Sequence, residues 1–367
     1  MDAKLSPEQG LNISGIALAS LLAVGLGTTA FFLDWMANRL PWQAMSLTLP
    51  LLLSALASGI MGYLVIPVLQ ALKTGQIIRE DGPQAHLKKA GTPTMGGIFF
   101  VPVAVILACV LSNFATEVLA VSALTISYGL IGWLDDWQIL RRKSNKGISP
   151  RMKLALQVSF AVVFCLWLMF NQPSNITNIA LPWVSFTLPL GFLFWPVAGF
   201  VLVAESNATN LTDGIDGLAG GTVAIALLAL GALIAPTAPG LMVFCAALSG
   251  GCLGFLAHNR NPARVFMGDT GSLALGGALA AVALLTNSLV ALFILSGIFF
   301  VETLSVMAQV SYYKATKGPD GKGKRLFKMA PLHHHLELTG WSELQVVGVF
   351  YIIAAILAVI CLAIAPF

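Results

Sequence analysis

Eleven apolar runs, most of them long enough to cross a bilayer as a helix, constrain this chain more than any other feature. They fall at 11–33, 47–72, 96–113, 115–134, 154–171, 188–206, 215–235, 238–257, 270–287, 289–312 and 344–366. About 20 apolar residues in a helix cover the roughly 30 Å of hydrocarbon in a bilayer. Inside that slab a backbone amide finds no water, so only helices and closed barrels can cross it. A barrel needs short segments that alternate apolar and polar residues, and these runs do not alternate. The pairs 96–113/115–134 and 270–287/289–312 are each one stretch of about 40 residues, roughly twice a bilayer, and are read as two helices apiece.

The fold class is therefore an all-α polytopic membrane protein. Composition agrees, with 57% hydrophobic and only 10% charged residues, where soluble domains carry about 25% charged. Cys109, Cys165, Cys245, Cys252 and Cys361 lie within or beside apolar runs with no metal spacing, as small buried hydrophobes do. No cleavable signal peptide is expected. Residues 1–46 form an N-terminal segment whose run at 11–33 reads as an extra span, and 47–367 form one integral-membrane domain. Nothing in the sequence marks a nucleic-acid partner; the partner is the lipid bilayer.

The basic residues orient the chain. Of the 20 Lys and Arg, 18 lie in the loops 73–94, 135–153, 258–269 and 313–343. The positive-inside rule places those loops in the cytoplasm. Ten core helices between 47 and 366 then alternate consistently, leaving the C-terminus outside the cytoplasm and making 207–214 a fifth cytoplasmic loop.

Five polar clusters share that predicted face: HLKKAGTPTMGG (86–97), WLDDW with RRKSNKGISPRMK (133–153), NATNLTDGIDG (207–217), HNRNPARVFMGDTGS (258–272) and KGKRLFKMAPLHHHLELTG (322–340). Of sixteen Asp and Glu, Asp135, Asp136, Asp213, Asp216, Asp269 and the deeper Glu302 gather at these helix ends. A lone Asp there could simply cap a helix. Several carboxylates at membrane depth, with Gly, Asn, Thr and three histidines, point instead to function. Carboxylates without a Cys partner suit a hard cation, Mg²⁺ or Mn²⁺. Lys and Arg around them suit phosphates, and glycines leave helix N-terminal amides open to anions. Together they indicate metal-assisted phosphoryl transfer at the membrane surface. Three consecutive histidines diverge on a helix or turn and match no zinc spacing, so hydrogen bonding to phosphate or proton handling is the better reading. A secondary transporter is the rival class, but transporter sites lie near the midplane of matched halves, and these charges gather at one face.

At these residues the chain resembles the polyprenyl-phosphate N-acetylhexosamine-1-phosphate transferases. GTPTMGG, the aspartate pair of WLDDW, NLTDGIDGLA, PARVFMGDTGSL and PLHHHLELTG occur in order, covering about residues 60–366. The form PLHHHLE resembles the branch whose donor is UDP-MurNAc-pentapeptide rather than the N-acetylglucosamine-1-phosphate branch. The resemblance implies transfer of phospho-MurNAc-pentapeptide to undecaprenyl phosphate with Mg²⁺, at the cytoplasmic side of the bacterial plasma membrane. It implies Asp269 as metal ligand and Asp135 and Asp136 as the pair that deprotonates or holds the lipid phosphate. Asn210 and Asp213 would line the diphosphate, and Thr94 of GTPTMGG and Gly214 are further substrate-binding positions. Asp216, Asn259 and Phe266 would form the nucleoside pocket, with Phe266 stacking on uracil. Lys89, Lys153 and Gln309 match further polar contacts, and His333, His334 and His335 the histidines of the last loop. The run at 11–33 departs from the family's usual beginning. A homodimer is compatible with the sequence.

Overall fold

The computed structural model describes residues 14–72, 89, 91–142, 147–181 and 186–364. The apolar runs become helices in the predicted order: α1 (Gly15–Met36), α2 (Thr48–Ala71), α3 (Gly97–Leu111), α4 (Thr116–Arg142), α5 (Pro150–Asn171) and α6 (Phe194–Thr212). There follow α7 (Leu218–Ile234), α8 (Pro239–Asn259), α9 (Gly268–Leu285), α10 (Leu289–Leu295), α11 (Gly297–Ala315), α12 (Leu332–Leu338) and α13 (Glu343–Ile364). Among the described residues, eight helices are long and apolar enough to cross a membrane, or nine with the bent α10–α11 pair taken as one span. This is a polytopic helical membrane protein.

Helices α8 and α9 form the centre, with 89% of each apolar window buried against 28% for α2 and α5. Around them, α2, α3 and α7 pack on α8, while α4 and α6 pack on α9. Both central helices are rich in Ala, Gly and Ser, the residues that let helices approach closely where lipid offers no hydrophobic drive for association. The outer helices turn Leu, Ile, Val and Phe outward, as a lipid-facing surface requires.

Helix α1 runs the height of this bundle. Its start meets the backbone of Asn261, where a Cβ on Gly15 would overlap the carbonyl oxygen. At its other end buried Asp34 accepts hydrogen bonds from Leu47 N at 3.0 Å, Thr48 N at 2.9 Å and Thr48 Oγ1 at 2.7 Å. That carboxylate satisfies amides at the start of α2 which its own helix cannot, and it also pairs with Arg39 at 3.0 Å. Asp34, in the predicted N-terminal segment, is a structural cap.

Two features depart from the sequence reading. The predicted loop at 172–187 and the first residues of the span predicted at 188–206 form a two-stranded antiparallel ribbon, β1 (Asn178–Leu181) and β2 (Phe186–Pro189), with Asn178 opposite Pro189. The predicted span at 289–312 is broken: α10 and α11 meet at 70°. The break falls at Ser296-Gly297, a pairing that commonly kinks helices, and the Ser296 hydroxyl donates to buried Glu205 of α6 at 2.6 Å.

Candidate active site

The polar clusters of the sequence meet at one end of the bundle, where α4, α6, α8 and α11 finish and α3, α5, α7 and α9 begin. Gly132 sets the approach of α4 to α9, because a Cβ there would collide with the backbone of Asp269. One turn further along α4, Asp136 turns its carboxylate to the first turn of α9. It accepts from Asp269 N at 3.3 Å, Thr270 N at 3.1 Å and Thr270 Oγ1 at 2.7 Å. This is helix capping supplied from another helix. The GTPTMGG segment closes the same corner: Phe266 N donates to Pro93 O and Gly96 N to Phe266 O, both at 2.8 Å. Between them Thr94 is buried beside Gly268, whose positive φ of 71° suits glycine.

Asp269 sits at the centre, on the positive N-terminal end of α9. One carboxylate oxygen accepts from Asn210 Nδ2 at 2.7 Å, and the other is paired with Lys153 of α5. Asn210 also donates to Ser272 Oγ at 2.9 Å, which fixes its amide. Asp135 lies alongside with one backbone donor, Ile148 N at 3.0 Å. Asp213 caps the end of α6. Burial, then the negative charges of Asp269, Asp136 and Asp216, push its carboxyl up to about 8.

A second cluster adjoins the first. Asp216 pairs with Lys89 at 2.8 Å, and Lys89 also reaches Glu343 at 2.6 Å. Asn261 bridges the two carboxylates, donating to Glu343 at 2.6 Å and to Asp216 at 3.2 Å. Burial and the Glu343 charge raise the Asp216 carboxyl, while Lys89 opposes them. Asn259 is buried and committed to scaffolding: it accepts from Gly217 N and donates to Val265 O, both at 2.9 Å. It thereby holds Gly217, in a left-handed conformation at φ 85°, where α7 begins.

The histidines diverge, as their spacing predicts. His333 is fully buried, and its Nδ1 pairs with Glu302 at 3.1 Å. Its Nε2 faces Gly214, where a Cβ would overlap the ring, so this histidine touches the aspartate loop. His334 pairs with Glu337 at 2.9 Å, and His335 Nδ1 accepts from Lys328 N at 3.2 Å. Gln309 on α11 stands apart from the aspartates, its Oε1 accepting from Leu326 N at 2.9 Å and Phe327 N at 2.8 Å. Phe266 keeps a half-buried ring beside the Asn259–Asp269 turn. Sequence reasoning did not select Glu343, Asn261, Thr270 or Ser272, whose contacts come from distant parts of the chain. Asn261, Thr270 and Ser272 lie inside the HNRNPARVFMGDTGS cluster, whereas Glu343 lies outside all five clusters, as the one charge at the start of its apolar run.

Four carboxylates with Lys153 as the cation nearest Asp269 make a site short of positive charge, as the raised Asp213 shows. That donor set fits a hard divalent cation, which needs only one or two protein carboxylates. Among the described residues no three His, Cys, Asp or Glu side chains enclose a single point. An apolar groove of about 560 Å³ between α5 and α6 leads from Phe192 and Trp195 to Leu154 and Val203, the residue after Lys153 and a residue two turns before Asn210.

Residues 118–287 match the model of glycosyl transferase family 4, which takes in every aspartate of the site. Residues 89–101, including Lys89 and Thr94, match the phospho-N-acetylmuramoyl-pentapeptide-transferase signature 1. A protein of that name from Nostoc punctiforme is 93% identical over 363 residues, covering 99% of this chain and 100% of the relative. One from Trichormus variabilis is 88% identical over 367 residues, covering 100% of both. One from Gloeothece citriformis is 63% identical, covering 98% of this chain and 99% of the relative. With such identity sustained from end to end, the chain belongs to the phospho-N-acetylmuramoyl-pentapeptide-transferase family.

Proposed function

We propose that this enzyme transfers phospho-MurNAc-pentapeptide from UDP-MurNAc-pentapeptide to undecaprenyl phosphate in the bacterial plasma membrane. The products are undecaprenyl-diphospho-MurNAc-pentapeptide (lipid I) and UMP. An oxygen of the lipid phosphate bonds to the sugar-bearing phosphorus, and the bond from that phosphorus to the oxygen retained by UMP breaks. The observation that carries the reading is the meeting of Asp135, Asp136, Asp213 and Asp269 with Lys153 at the end of an apolar groove. A polyprenyl chain lies along that groove and delivers its phosphate to the carboxylates.

Asp269 is the residue that holds Mg²⁺, with Asn210 and Lys153 fixing its two oxygens. When bound, Mg²⁺ neutralises charge on the reacting phosphates. Asp135 carries fewer hydrogen bonds than Asp136 and is the better placed to take a proton from the lipid phosphate or to orient its dianion. Asp136 holds the start of α9, and with it Asp269, in place. Asp213 and His333 line the diphosphate, while Asp216, Lys89 and Phe266 bind the nucleoside. The concentration of Lys and Arg in loops at this end supports a cytoplasmic active site and an extracytoplasmic C-terminus.

Purified enzyme given undecaprenyl phosphate, Mg²⁺ and one UDP-sugar at a time should form lipid product and UMP from UDP-MurNAc-pentapeptide and none from UDP-GlcNAc. Asp269→Asn should cut turnover by orders of magnitude while the protein stays monodisperse in detergent. Product from UDP-GlcNAc alone, or near-normal turnover in Asp269→Asn, overturns the reading.

A further inference from the structure

A second cavity lies between the last two turns of α11 and the segment before α12. Its volume is about 450 Å³, and Lys314, Lys317 and Arg325 line it with Tyr313 and Met329. Among the described residues, no carboxylate lies within ion-pair distance of these three cations. Among the described residues at this end, Lys153 is paired with Asp269, and Lys89 with Asp216 and Glu343. The cavity is also built. Gln309 pins the 326–327 backbone to α11 through two accepted hydrogen bonds and one donated to Phe327 O at 3.3 Å. Arg325 donates to Lys328 O at 3.2 Å, which holds its guanidinium by the rim. A preformed cavity with unneutralised positive charge selects an anion.

Ala330, in the wall, lies three residues before His333, which touches Gly214 of the aspartate loop. The cavity is thus the neighbour of the site where the reacting sugar phosphate must sit. A muramoyl group acylates the amino end of its peptide, so the peptide leads away from the sugar and ends in a free carboxylate. Five extended residues reach at most roughly 17 Å, more than the roughly 11 Å that three residues of chain can put between His333 and Ala330 in the cavity wall. An Arg fork and two ammonium groups match carboxylates at the end of a flexible chain.

We infer that the cavity bounded by Lys314, Lys317 and Arg325 is the subsite that receives the carboxylates of the donor's peptide. It makes the enzyme prefer a peptide-bearing donor to the bare nucleotide sugar. The inference rests on the proposed substrate. The wild-type enzyme's own turnover with UDP-MurNAc-pentapeptide tests that substrate separately.

The test compares two ligands in two enzymes. The KM for UDP-MurNAc-pentapeptide and the inhibition constant of peptide-free UDP-MurNAc, as a competitor of transfer, are measured in wild type and in Lys314→Gln/Arg325→Gln. The double variant should raise the pentapeptide donor's KM about three- to tenfold, since each pair is partly exposed to water. The inhibition constant of UDP-MurNAc should stay within twofold. Raising the salt concentration should weaken binding of the pentapeptide donor in wild type more than in the variant. Lys314→Glu, a single surface change, should act in the same direction and guards against misfolding of the double variant. Equal shifts for both ligands, no shift for either, or a shift confined to the KM of the lipid acceptor would overturn the assignment. The last result would make the cavity a lipid-headgroup site.

Discussion

The Asp136 carboxylate accepts the Thr270 hydroxyl at 2.7 Å and two amides of the same turn, whereas its neighbour Asp135 accepts a single amide from Ile148. Adjacent aspartates therefore have different work. Asp136→Asn should lose activity and stability together, because an amide replaces an acceptor that satisfies the start of α9; about 1–3 kcal/mol is the usual cost of such a loss. Asp135→Asn should keep its melting temperature and lose most turnover near neutral pH. Part of that turnover should return as pH rises past the second phosphate ionisation of the lipid acceptor, near 6 for a phosphomonoester. Thermal unfolding and pH–rate profiles of both variants check this. A stable Asp136→Asn beside an unstable Asp135→Asn would reverse the assignment.

The raised carboxyl of Asp213 gives a stability signature with a definite sign. Its folded value is about 8, whereas an unfolded aspartate ionises near 3.9. Between those values the folded state holds a proton that the unfolded state has lost. Metal-free enzyme should therefore lose stability as pH rises from about 4 to about 8, with no further loss from this group above that. Asp213→Asn should flatten the melting temperature over this window. Adding Mg²⁺ should restore wild type most above pH 8, where the site carries most negative charge. A wild-type profile that Asp213→Asn leaves unchanged would remove Asp213 from the electrostatics of the site.

Local sequence patterns carried the helices because lipid imposes one rule on every run. The same uniformity hid the break in the bent span: Ser296 and Gly297 lie inside one apolar stretch, and the Glu205 that receives Ser296 lies 91 residues away. The aspartates were legible as a set, since charge at the ends of apolar runs has few bland explanations. How they divide their roles was not. Lys89 and Glu343 meet across 254 residues, and Asp136 reaches Thr270 across 134, separations at which no periodicity survives. The three histidines show both sides of this: their divergence follows from consecutive positions, but Glu302 and Gly214 as the neighbours of His333 do not.

Orientation can be read with single cysteines. All five native cysteines are buried and free, so their replacement should be tolerated and should leave a silent background. Ser174→Cys, at the end carrying the β ribbon, should react with an impermeant thiol reagent added outside spheroplasts. Asp320→Cys, in the exposed loop after α11, should react only after permeabilisation. Labelling of position 320 from outside would invert the orientation and separate the site from a cytoplasmic nucleotide sugar.

The chemical route is open to a decisive measurement. An aspartate that attacks phosphorus must have an oxygen free of hydrogen bonds and aligned with the leaving group. Asp136 spends both oxygens on α9, and Asp269 spends one on Asn210 and the other on Lys153. Of Asp135, Asp136 and Asp269, only Asp135 keeps a carboxylate oxygen with no N–H or O–H donor among the described residues, and it is the residue expected to serve the lipid phosphate instead. Direct attack by the lipid phosphate then predicts no UMP from enzyme, Mg²⁺ and UDP-MurNAc-pentapeptide until undecaprenyl phosphate is added. A phospho-aspartyl route predicts a burst of UMP equal to the enzyme without any acceptor. Rapid quench of delipidated enzyme separates the two. A stoichiometric burst that survives in Asp136→Asn and vanishes in Asp135→Asn would make Asp135 the nucleophile and end the case for direct attack.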